Sequence, residues 1–340
     1  MIRIFLASLF VAIASGFSAH ADTRDVYTVS NIEVDEVADS LIQAREQAMG
    51  AARTKGARIL IERITLPEDV IAAGGVPIDY ALANRLSAAV DVQEETAGAG
   101  RYRGTLAVVY NPRMVRAHLD SLGVPYVDTQ APMSLLVPLA SNDVLEYAWR
   151  ETLGTGRSET LSPYVTSSGG GYTQFSNWME LSPEASALGA RRGILAELSG
   201  SENAWRVTVS VVTTAGTETI GTTPYAQTMD GAVVAMLKLL DENWKRTSII
   251  RSGERTAAKA SVRYTSLAEW NTLRGALARS PFISDLKIDA IARDGALVNF
   301  SYAGDPPRLQ NDLLQRGVSL SQDDHGWVLR SAVSASLGGQ

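Results

Sequence analysis

Two histidines follow the apolar leader, His118 and His325, and acid, base or metal chemistry would be sought there first. More than 200 residues separate them, so the fold alone can bring them together. His118 falls on an expected helix beside Arg113 and Arg116, whose charges repel a metal cation. His325 stands in Asp323-Asp324-His325-Gly326, which offers carboxylates and an imidazole to a metal but also has the composition of a hairpin turn between polar strand ends. The turn is the reading adopted. A serine nucleophile needs a base within reach, and no Gly-x-Ser-x-Gly elbow occurs, so a triad built on either histidine has no positive sign. Gly98, Gly100 and Gly104 form a glycine-rich stretch that runs into a strand, where no helix N-terminus faces a phosphate. Ser167 to Gly171 lacks the Gly-Lys-Ser/Thr of a phosphate loop. Ser284 and Lys287 match Ser-x-x-Lys, yet on a strand positions i and i+3 face opposite ways. These residues yield no catalytic, cofactor-binding or metal assignment, and no cofactor is expected.

One constellation remains. Tyr164, Tyr172, Phe175 and Trp178, with Gln174 and Asn177, lie in a glycine-rich stretch between Gly154 and Leu181 that shows no regular period. Rings and amides together can stack on a sugar or grip a protein partner. The alternatives are that the rings fold back over the core of their own module, or that they form a lid over a catalytic site. Long stretches without regular structure inside compact domains are usually functional or disordered.

The leader sets the compartment. Arg3 precedes an apolar or small run from Ile4 to Phe17, and Ala19 and Ala21 supply the small residues of an A-x-A site, so cleavage after Ala21 is expected. The run is 14 residues long, short of the roughly 20 a membrane helix requires, which disfavours a retained anchor. No cysteine occurs, which removes lipid attachment, disulfides and thiolate sites together. Arg3 is the only Lys or Arg in the leader, so the remaining chain carries 30 basic and 37 acidic residues, a net charge of −7. That sign argues against nucleic acid and against general affinity for anionic lipid.

Three modules are expected after the leader. In residues 22–130, Val29, Ile32, Val34 and Val37 mark a strand, and Ser40 with Gln43 starts a helix carrying Ala44, Ala48, Ala51 and Ala52 and later Ile59, Leu60 and Ile64. A second helix is expected over 79–90, a strand over 102–110, and a helix from Pro112 to Gly123, giving β-α-α-β-α. Residues 131–254 read as an α/β sandwich with the long aromatic loop. It has a buried strand over 133–139, helices from Asn142 and from Ser182, strands over 193–198, 205–213 and 217–222, and a helix over 230–246. Residues 255–331 read as β-α-β-β-α-β, a ferredoxin-like split unit with Asp294-Gly295 supplying positive φ at a tight turn and Asp305 capping its second helix, and 332–340 as a flexible tail.

Ala44-Arg45-Glu46-Gln47-Ala48, Leu60-Ile61-Glu62-Arg63, Arg101-Tyr102 through Pro112 to Gly123-Val124-Pro125, Leu135 to Leu139 and Gly193 to Leu198 together resemble a proteobacterial exported family catalogued as domain of unknown function 2066, over about residues 26–250. The resemblance transfers no catalytic residue. It implies a periplasmic, non-catalytic part.

The sequence therefore leads to an α+β or α/β protein of three small modules, secreted to the periplasm, non-enzymatic, and engaging envelope proteins through Tyr164, Tyr172, Phe175 and Trp178. The competing expectation is a periplasmic hydrolase or ligand-binding enzyme acting on a cell-wall component. A deep pocket with converging carboxylates would favour the second, and exposed rings on a surface the first.

Overall fold

Alternation alone does not account for the first strand. Val29, Ile32 and Val34 are all buried although 29 and 32 are three apart. In the computed structural model, a bulge at Asn31, where φ is 58°, brings them to one face of β1 (Thr28–Val37). Val37 then falls on the opposite face and is exposed. One helical turn, α1 (Thr23–Val26), precedes this strand. The structure describes residues 23–169, 171–251, 255–304, 306–323 and 326–332. The expected leader and its cleavage at Ala21, Asp305 as a cap, Asp324 and His325, the division at 254, and residues 333–340 of the expected tail lie outside the described residues.

Helix α2 (Leu41–Ile64) covers the inner face of the first sheet. Ser40 caps it by accepting from the Gln43 N–H, and Ala44, Ala48, Ala52 and Ala57 are buried along it. The approach is tight at Gly56, where a Cβ would lie 2.8 Å from Ile32 Cδ1 and 2.5 Å from the Tyr110 hydroxyl. Helices α3 (Pro67–Ala72) and α4 (Tyr80–Leu86) come next. The helix expected over 79–90 ends at Leu86, because residues Ser87–Gly98 form β2, antiparallel to β3 (Arg101–Tyr110). Strand β2 is an edge strand exposed along most of its length, so burial imprints no period on it, and the ladder to β3 overrides the helix propensity of Ala88 and Ala89. The sheet order is β1-β3-β2, one strand more than β-α-α-β-α provides. Helix α5 (Pro112–Leu122), capped by Asn111 and stopped by Gly123 at φ 65°, closes this module.

The second sheet is wound in both directions from β4 (Ser134–Leu139), whose six residues are all buried. Helix α6 (Asp143–Leu153) leads through β5 (Gly156–Arg157) to β6 (Tyr164–Thr166), which pairs parallel to one side of β4. Helix α7 (Trp178–Ala187) then leads to β7 (Arg192–Ser201), parallel on the other side. Strands β8 (Ala204–Thr213) and β9 (Gly216–Thr222) add antiparallel, giving β5-β6-β4-β7-β8-β9. Helix α8 (Met229–Ser248) shares a core with α6, including Trp149, Leu153, Met236 and Leu240, while α7 packs with a separate core that includes Leu181 and Ala185. Two expectations are corrected here. Residues 154–181 contain β5, β6 and the start of α7, and α7 begins at Trp178, ahead of Ser182. Asn177 caps it, and the Ser182 hydroxyl donates to Met179 O, the carbonyl that Pro183 cannot serve.

In the third module, β10 (Arg255–Arg263), α9 (Leu267–Ala278), β11 (Ile283–Ile291), β12 (Gly295–Ala303), α10 (Pro306–Gln315), β13 (Val318–Asp323) and β14 (Gly326–Ser331) give the sheet β11-β12-β10-β14-β13. The ferredoxin-like β-α-β-β-α-β expectation fails at its last element. Val318 to Ser331 is a hairpin, and β14 inserts parallel to β10, between it and β13. Val328 and Leu329 are both buried, as suits a strand in the sheet interior. The Asp294-Gly295 turn adopts no positive φ; the three residues between β11 and β12 are closed by Ala292 N–H to Gly295 O and held by the Tyr264 hydroxyl. The three sheets thus occupy residues 28–110, 134–222 and 255–331 in a mixed α/β architecture. Among the described residues no helix is long and apolar enough to cross a membrane.

Candidate functional site

In a sheet wound both ways, ligand sites favour the carboxyl ends of the parallel strands where the winding reverses. The aromatic loop leaves β6 at that end. Its first residue, Ser167, donates its N–H to Leu136 O, and one carboxylate on α7 orders the start of the loop. Glu184 Oε2 accepts from the Ser167 hydroxyl at 2.9 Å, and Oε1 accepts from the Ser168 N–H at 2.8 Å and its hydroxyl at 2.9 Å. Burial pushes this carboxyl up, but the bonds from Ser168, Ser167 and Tyr172 outweigh it and hold it below the usual range. Gly169, at φ 104°, rests on the guanidinium of Arg150, 3.1 Å from where a Cβ would sit, and Arg150 is itself paired to Glu146. The Ser176 hydroxyl accepts from the Thr173 N–H and the Thr173 hydroxyl from the Phe175 N–H, placing Phe175 at the tip of a tight turn.

The four expected contact residues separate in this frame. Tyr164 is 1% exposed, lies on β6 and donates to Leu153 O, so it belongs to the core and is corrected as a contact residue. Tyr172 and Trp178 are half-buried against the core under α7. Phe175 is 82% exposed, and Met179, one turn along, is 84% exposed. Sequence reasoning missed Met179 and Glu184, and the Asn177 cap that begins α7 was the available signal for the first.

The amino ends of the same strands do something different. There the last turns of α8 join all three modules. Trp244 Nε1 donates to Thr129 O at 2.7 Å, and Lys245 Nζ donates to Glu62 O and Thr65 O at 2.9 and 2.8 Å, closing the C-terminal end of α2. Arg246 pairs with Glu68 and Arg251 with Asp69, while Arg308 of α10 donates to Thr247 O. Beside this joint a cavity of about 810 Å³ separates α2 and α3 from α8. Glu62, Glu159 and Asp241 line it, interleaved with Arg63 and Lys245. Burial pushes the Asp241 carboxyl up to about 6, against the Ser162 N–H, Lys245 and Arg63, which favour its charged form. That value suits an acid or base. The Ser162 hydroxyl beside it donates to Leu240 O, and Asp241 Oδ1 accepts the Ser162 N–H, so this pair is arranged as structure and not as nucleophile and base.

The remaining motifs resolve individually. His118 lies on α5 with Nε2 buried and without a hydrogen-bond partner; burial and then Arg85 hold its pKa below the ordinary value. Among the described residues no group of three or more His, Cys, Asp or Glu is placed to hold a metal. Gly98 and Gly100 belong to the β2–β3 hairpin, with Gly100 at φ 74°. Ser284 and Lys287 oppose Ser301 and Asn299, two residues apart, so they share a face; a bulge with Asp285 at φ 53° overturns the expected opposition. The Ser284 hydroxyl nonetheless bonds Arg255 and Asp285, not the lysine.

No family model matches this chain, and no curated protein matches it. Among solved structures, TolB from Acinetobacter baumannii is similar over 41% of this chain and 33% of its own, at 16% identity and a TM-score of 0.21. A score that low carries no argument about function.

Proposed function

We propose that this chain is a secreted, periplasmic, non-enzymatic interaction or assembly-accessory protein of the cell envelope, akin to the exported family it resembles, with the loop after β6 as its contact with a protein partner. The observation that carries this reading is the pairing of Phe175 and Met179, each more than four-fifths exposed, on a backbone whose N–H groups are held by the Thr173 hydroxyl and the Asn177 cap. Apolar side chains on a pre-ordered backbone bind with little ordering cost. Capture of partners from envelope extracts tests it, with a Phe175→Ser, Met179→Ser double variant beside the unmodified chain. Loss of a partner at unchanged melting temperature supports the reading, and an identical partner set sinks it.

A hydrolytic role is the second reading, favoured by the Asp241 carboxyl at about 6 in its cleft. Turnover of peptidoglycan fragments by the purified chain, abolished in Asp241→Asn, would establish it in place of the first.

A further inference from the structure

A second cleft, of about 520 Å³, opens where the three modules meet, and its lining is strongly basic. Arg116 comes from the first module, Arg191 from the second, and Arg279 and Arg316 from the third; Asp128 is the one acid among the lining residues. Asp128 is paired within the first module, its Oδ2 accepting from Arg116 Nε at 2.5 Å and from the Tyr27 hydroxyl at 2.6 Å. Arg316 is paired with Asp312 at 3.0 Å and stacks over the Trp244 ring, 5.8 Å from its centroid. Arg191 and Arg279 have no carboxylate partner among the described residues, so the cleft retains two uncompensated positive charges.

The cations line one cleft from different elements. Gly317, the neighbour of Arg316, has its Cβ direction 3.6 Å from Arg191 Nη1, and Arg279 loses basicity first to burial and then to the charge of Arg316. Two lining residues also carry buried polar atoms that no protein group satisfies, Arg316 Nη2 and Thr129 Oγ1. The Arg316 side chain is only 6% exposed, and a buried donor without a partner is costly. Four guanidinium forks, two of them with spare charge, around a cavity of ligand size fit one chemical class.

We infer that this inter-module cleft binds the phosphate group of a small soluble molecule. A phosphate dianion neutralises the charges of Arg191 and Arg279, whereas a carboxylate leaves one charge uncompensated. Each of the three modules supplies at least one cation, so occupancy also fastens them together. The inference is independent of the Phe175 contact and would survive its failure.

Calorimetric titration of the full chain with inorganic phosphate and with glycerol phosphate tests it, with acetate as the monoanion control. Arg191→Gln and Arg279→Gln are the variants, since neither side chain makes a hydrogen bond or ion pair among the described residues. Saturable phosphate binding that weakens about tenfold in each variant, with melting temperature of the unliganded chain unchanged, is the expected result. Absence of saturation in the millimolar range, affinity in both variants unchanged from that of the unmodified chain, or binding to phosphatidylglycerol vesicles without binding to either soluble phosphate would overturn it.

Discussion

The two ends of the parallel strands in the second module use charge in opposite ways. At the carboxyl end a single anion, Glu184, gathers hydroxyl and amide donors from its own module and fixes the start of the loop that carries Phe175, exposed like Met179 on α7. At the amino end cations reach out of the module: Lys245 to the carbonyls ending α2, Arg246 and Arg251 to acids of α3, with Trp244 wedged between. One arrangement shapes a surface, and the other makes a joint. The contrast teaches that a loop can be ordered without being buried, while a joint needs long side chains whose charge is satisfied by a neighbour.

Removing the wedge should have the largest effect. Trp244→Ala deletes a buried indole and its bond to Thr129 O, a loss of about 3–5 kcal/mol, and should separate the unfolding of the first module from that of the second in calorimetry. A single undivided transition in that variant would mean the amino end is no joint. A smaller effect is expected at Asp241. Its carboxyl is raised in the folded chain, so the folded state holds the proton more tightly than the unfolded state, and this group's contribution to stability falls as pH rises from about 4 through about 6. The stability difference between the unmodified chain and Asp241→Asn, from urea unfolding, should therefore shift in favour of the variant by up to roughly 3 kcal/mol across that interval and stay flat above it. The smallest change belongs to the loop. Glu184→Gln should cost about 1 kcal/mol locally, read as faster hydrogen exchange at Ser168 with no change in the global transition. Because the carboxyl of Glu184 is held low, the same loosening should appear in the unmodified chain as pH falls below the ordinary carboxylate range. Global destabilisation by that substitution would erase the distinction between the two ends.

Much of the scaffold is written in local pattern. The alanine stripe of α2, the unbroken apolar run of β4, the alternation of β8 and the three-and-four spacing of α8 each reflect one buried face, and burial is what periodicity records. Strand β2 escaped because it is exposed on both faces, and β6 because three residues are too few to show a period. Tyr164 was indistinguishable from Phe175 by residue type, since only the parallel ladder to β4 takes it inside. The bulges at Asn31 and Asp285 reversed or rescued facing rules that assume a regular strand. The joint and the arginine cleft were beyond local reading altogether: Lys245 meets Glu62 across 183 positions, and no spacing rule connects them.

That distance has a temporal meaning. As the chain grows from its amino terminus, the carbonyls of Glu62 and Thr65 emerge long before the ammonium that will satisfy them. The first module therefore ripens in two stages, its sheet and helix first and the helix terminus only once α8 has been made, so truncation anywhere before residue 245 leaves an unfinished amino-terminal module as well as a missing remainder.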